Sequence, residues 1–121
     1  PVATRIATYG LPVSEPARSY VQAMLAHPDM RRWRAMGAAE GPDLPQYEKP
    51  LARAPFPAPP TIPARAVTSG TPENAACPYS GRPVADLMEI EGRVFGFCSP
   101  FCRDKTVADP EAWPEFMALF R

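Results

Sequence analysis

Apolar side chains recur every three to four positions through the first forty residues and follow a tighter, strand-like pattern after residue 84, so the chain reads as helices first and strands later. Val2, Ile6 and Tyr9, with Ala3 and Ala7 beside them, mark a short first helix that Gly10 and Pro12 end. Ser14 is placed to cap a second helix with Glu15 in its first turn, and Ala17, Tyr20, Val21, Met24 and Leu25 form its apolar stripe as far as His27. Pro28 and Asp29 open a third helix that carries Met30, Trp33 and Met36 on one side, while Arg31, Arg32 and Arg34 are expected to face water. On this reading Tyr20, Met24, Trp33 and Met36 are core residues, and His27 is a helix-end residue and neither a ligand nor a base. Three short helices cannot bury all of these faces against one another. A second copy of the chain, or a missing N-terminal domain, is therefore expected to cover Val2, Ile6 and Leu25.

In the C-terminal half, Val84 to Ile90 is strand-like, Glu91-Gly92 suits a tight turn, and Arg93 to Cys98 forms a second strand, which together predict a β-hairpin. Ser99 and Pro100 then read as the N-cap and first residue of a helix running to about Val107. Between the two halves, eight of the 18 prolines fall within positions 42–63, a density that excludes helix and central strand. The chain is thus divided into a helical block, 1–41, a proline-rich linker, 42–63, and a small module, 64–121. Tyr47, Leu51, Phe56 and Ile62 give the linker apolar points by which an extended strap can lie against a surface. The expected fold class is α+β.

Charge changes the picture by subtraction. The chain has 13 Lys+Arg against 13 Asp+Glu in 121 residues, so it lacks the basic excess that holds nucleic acid. It has neither an apolar run long enough for a bilayer nor the layout of a signal peptide, which predicts a cytoplasmic protein with no membrane partner. A first residue other than Met suggests a piece of a longer chain.

The chemistry lies in Cys77, Cys98 and Cys102, spaced C-x20-C-x3-C. An odd count in a cytoplasmic setting argues against a closed disulfide framework and leaves metal binding or redox use. C-x3-C lacks the spacing of thioredoxin-type motifs, which disfavours redox use. Cys77 begins a turn closed by Gly81, a knuckle in which backbone N–H groups can face the sulfur. Cys98 ends the second strand, and Cys102 falls in the first turn of the following helix, where the helix dipole lowers a thiol pKa. Knuckle, hairpin, strand end and helix start together describe a treble-clef metal site. Zn²⁺ is the expected ion, with a fourth ligand from water, Asp86, Asp104 or a neighbouring molecule. Three thiolates alone suit trigonal Cu⁺, and a degenerate, metal-free set is the remaining alternative. Arg103-Asp104-Lys105 reads as helix surface with local ion pairs.

Two resemblances follow from these residues. PVATRIATYGLPVSEPARSYVQAMLAHPDMRRWRAMGAAE, with Thr4-Arg5, Tyr9-Gly10, Tyr20, Pro28, Trp33 and Glu40 as its most specific set, resembles the last third of the helical C-terminal domain of bacterial glutathione S-transferases, over about residues 1–50. CPYSG-RPV, EGRVFGFCSPFCRDK and ADPEAWPEF resemble the TRASH/YHS group of small metal-binding modules, over about residues 75–120. The second resemblance implies Cys77, Cys98 and Cys102 as ligands. It also implies that Asp109-Pro110 caps a last helix whose Trp113, Phe116, Met117 and Phe120 pack on the hairpin through Phe95 or Phe97. Many members carry a cysteine near Ser80, and here the residue is serine. The first resemblance implies that glutathione belongs only to the full-length parent, with no catalytic residue in this portion. The expected function is a metal-binding tail on a glutathione transferase-like protein. Its alternative is an active parent transferase whose tail is structural and metal-free.

Overall fold

A computed structural model describes residues 2–48, 50, 52 and 54–121; of the linker residues singled out above, Leu51 lies outside this set. Among the described residues the fold is mixed α+β, with a helical N-terminal block followed by a small antiparallel sheet and two further helices. The N-terminal helices are α1 (Val2–Tyr9), α2 (Glu15–Ala26) and α3 (Pro28–Ala39). The sheet has the order β1 (Ala64–Val67), β2 (Asp86–Ile90), β3 (Arg93–Phe97), and α4 (Pro100–Ala108) and α5 (Pro114–Phe120) follow it. No described helix is long and apolar enough to cross a membrane.

The helix boundaries fall where local chemistry puts them. Gly10, at φ 58°, ends α1 in the left-handed region. His27 stands between α2 and α3, its Nδ1 accepting from the Asp29 N–H at 3.3 Å as the cap of α3. Glu91 and Gly92 both take positive φ, 50° and 76°, the backbone that a two-residue hairpin turn needs to match the twist of its strands.

The main core lies between the sheet and α5. Phe95, Phe97, Phe116, Met88 and Ile90 are fully buried, and the Phe116 ring meets Phe95 edge-on at 5.3 Å. Phe120 lies 6.0 Å from Phe95, so α5 packs on the hairpin through the aromatic residues expected to do so. Trp113 and Met117 complete this cluster.

Several expectations need correcting. Trp33 is 60% exposed and Tyr20 55% exposed, so neither is core. The apolar face that α3 buries runs instead through Ala35 and Met36, and it packs on α4 and joins the C-terminal core. Arg31 does not face water: its Nε and Nη2 donate to the two carboxylate oxygens of Asp109 at 2.7 and 2.6 Å, and Arg32 donates to the Ala112 carbonyl at 3.0 Å. Asp109-Pro110 therefore does not cap the last helix: it opens a 3₁₀ turn over Pro110–Ala112, α5 begins at Pro114 after Trp113, and the Asp109 carboxylate is taken by Arg31 and by the Thr61 hydroxyl at 3.0 Å. Leu25, expected to need an outside partner, is buried against Ala3 and Val21, whereas Val2 stays exposed.

Besides the Thr61–Asp109 bond, described residues of the linker lie against both parts of the molecule. Phe56 packs on the α1–α2 cluster with the Arg34 guanidinium 5.1 Å over its ring, and Ile62 packs on the C-terminal core. Tyr47 projects into solvent.

β1 was not foreseen. Residues 64–67 follow a proline and are too few to show a period, yet they pair along β2 from Ala64 opposite Ile90 to Val67 opposite Leu87. Along the other edge, Asn74 replaces a fourth strand: its side-chain amide accepts from the Gly96 N–H and donates to the Gly96 carbonyl, each at 2.8 Å. Gly96 must be glycine, because a Cβ there would lie 2.6 Å from Val84.

Candidate metal centre

Three separate elements deliver the sulfurs. Cys77 sits in a tight knuckle: its N–H donates to the Arg82 carbonyl and its carbonyl accepts from the Gly81 N–H, both at 2.9 Å. Gly81 takes φ 68°, and Ala76 and Pro83 form an antiparallel bridge that closes the turn. Cys98 immediately follows β3. Ser99 is extended and caps α4, its hydroxyl accepting from the Cys102 N–H at 3.3 Å, which places Cys102 in the first helical turn.

The three sulfurs converge. All lie within 4.8 Å of one another, and Cys98 and Cys102 are 3.8 Å apart. None is in a disulfide, whose sulfurs would be about 2.05 Å apart. Four sulfurs at about 2.3 Å from a tetrahedral zinc are about 3.8 Å from each other, so the Cys98–Cys102 spacing already suits one ion. Cys77 is buried and the other two are half-buried, so the group opens toward solvent on one side. The donor set fits a soft or borderline cation, and the three cysteines can hold a metal ion.

The electrostatics are asymmetric. Burial pushes the Cys77 thiol up, but the backbone N–H groups of Cys98, Tyr79 and Ser80 and the Ser80 hydroxyl outweigh it and bring the thiol down to about 7. Cys102 goes the other way. Burial raises it, the Ser99 contact opposes this, and the Cys98 and Cys77 sulfurs raise it further. The Cys102 thiol is therefore raised and not lowered as expected: desolvation and the neighbouring sulfurs outweigh the Ser99 contact at the helix start.

The residues considered for a fourth ligand do not join the group. Asp86 and Asp104 are both held by the Arg103 guanidinium, at 3.0 and 2.7 Å. Ser80 does come close, its hydroxyl donating to Cys98 Sγ at 3.2 Å while accepting from the Arg82 N–H at 3.3 Å.

The surroundings contain residues that the sequence reading missed. Lys105, taken for surface, is only 9% exposed, and its ammonium lies 3.7 Å from the centre of the Tyr79 ring and 3.9 Å from that of Trp113. Trp113 Nε1 donates to the Lys105 carbonyl at 3.0 Å. Thr106 donates to the Cys102 carbonyl at 2.7 Å, so its 2.6 Å contact with the Tyr79 hydroxyl has the tyrosine as donor. The signal was periodicity: Tyr79 lies two residues past Cys77 and Lys105 three past Cys102, on the same turn and helix side that present the ligands.

No protein-family model, curated protein or solved structure matches the chain.

Proposed function

We propose that residues 64–121 form a metal-binding module in which Cys77, Cys98 and Cys102 hold one Zn²⁺ ion, carried as the tail of a glutathione transferase-like protein. The observation that carries this reading is the convergence of three unbonded sulfurs within 4.8 Å from a knuckle, a strand end and a helix start. Chance rarely brings three thiols from separate elements together, and crowded thiolates repel unless a cation lies between them. The fourth zinc position falls to water, since Asp86 and Asp104 are committed to Arg103 and position 80 supplies only a hydroxyl. The ion's role is structural, joining the knuckle, the end of β3 and the start of α4 at one point. The transferase-like parent is supported by the sequence resemblance over about residues 1–50 and by the helical character of α1–α3.

Native mass spectrometry of the purified chain with Zn²⁺ tests the reading. One ion per wild-type chain is expected, with a rise in melting temperature. Cys98→Ser should abolish both, because tetrahedral zinc sites contribute on the order of 10 kcal/mol to folding. Wild-type protein that takes up no ion at neutral pH would instead favour the structural, metal-free tail.

A further inference from the structure

Lys105 is a buried cation whose partner is not a carboxylate. Among the described residues its ammonium forms no ion pair, although Glu115 acts on it from a distance. Burying a lone ammonium is costly unless something of opposite charge or a π-face receives it. Two faces do: Tyr79 comes from the Cys77 knuckle and Trp113 from the segment after α4. Lys105 itself stands one turn beyond Cys102 on α4. The same two elements that present Cys77 and Cys102 thus also hold the ammonium, one helical turn from Cys102 and against the ring that follows Cys77 in its knuckle.

We propose that Lys105 is the built-in counter-charge of the three-cysteine centre, a positioning residue that tightens metal binding and does so most for ions of low charge. The inference rests on the metal reading above. Loading exchanges thiol protons for the ion: three thiols and M²⁺ give a three-thiolate complex with one net negative charge, and three protons leave to solvent. With M⁺ the same exchange leaves two net negative charges. A fixed neighbouring cation stabilises both products over the protonated apo site, and its effect doubles with the charge it faces. Aromatic rings on either side exclude water from the ammonium and so weaken the screening of that attraction.

The test uses the full chain as Lys105→Met and Lys105→Arg, titrated with Zn²⁺ and with Cu⁺ against chromophoric chelators, alongside urea unfolding of the metal-free proteins. Lys105→Met should weaken Zn²⁺ binding about tenfold and Cu⁺ binding about a hundredfold, the second factor being the square of the first. Metal-free stability should hold or rise, because methionine fits between the rings without a buried charge to desolvate. Lys105→Arg should restore both affinities. Equal binding by wild type and Lys105→Met overturns the inference and leaves the metal reading standing. So does a loss of affinity that Arg does not restore and that parallels a loss of metal-free stability, which would assign Lys105 to packing. A wild-type chain that binds neither ion overturns the metal reading and this inference with it.

Discussion

The helical block and the C-terminal module spend their apolar residues in opposite ways. In the module, five large side chains from a hairpin and one helix are fully enclosed, and the aromatic rings of β3 and α5 interlock. In the block, α1 and α2 share a small cluster of Ala3, Val21 and Leu25, while Tyr20 and Trp33 stand in solvent. Between them, α3 follows the block in sequence and the module in packing, through Ala35, Met36 and the Arg31–Asp109 pair. An amphipathic stripe announces that a helix will bury one side. It does not say which neighbour receives it, and here the better-formed core won the third helix.

The sharpest test of this contrast is paired truncation. Phe116→Ala, which empties the middle of the module core, should cost about 3–5 kcal/mol, and Leu25→Ala in the thinner cluster should fall at the low end of about 2–5 kcal/mol. Urea denaturation followed by tryptophan fluorescence, with Trp113 in the core, reads the first directly. Equal costs would erase the difference between the two regions. Next in size is the link between them. Arg31→Ala leaves the Asp109 carboxylate, only 6% exposed as a side chain, without its bidentate partner and should destabilise by about 2 kcal/mol. Hydrogen exchange should show α3 amides losing protection first; unchanged protection there would mean that Ala35 and Met36 alone hold the helix. Smallest of all, Trp33→Ala should shift stability by no more than about 0.5 kcal/mol in the isolated chain. A larger loss would mean that Trp33 is covered in solution.

The site was legible to the extent that its chemistry was local. Ser99-Pro100 announces a helix start whatever surrounds it, Glu91-Gly92 announces a turn, and Cys77 to Gly81 announces a knuckle, so the local setting of each cysteine followed from short segments and the docking of the knuckle on the hairpin brought the three together. The pKa of Cys102 did not follow. A dipole argument considers one helix, whereas burial and the two other sulfurs are contributed by the rest of the fold.

By itself, the order of residues determined where the first helices start and stop, where the hairpin turns, and the knuckle, strand end and helix start that carry the three thiols, because each depends on backbone preferences and caps within a few positions of the residue concerned. Only the tertiary structure decided that four residues after a proline become an edge strand, that Asn74 completes the far edge of the sheet, that Asp109 holds an arginine 78 positions away, and that Lys105 is buried between Tyr79 and Trp113. The physical reason is common to all four. A charged or polar side chain has several acceptable partners in solution, and which one it meets is set by how the large apolar surfaces close, a competition that is settled across the whole chain at once.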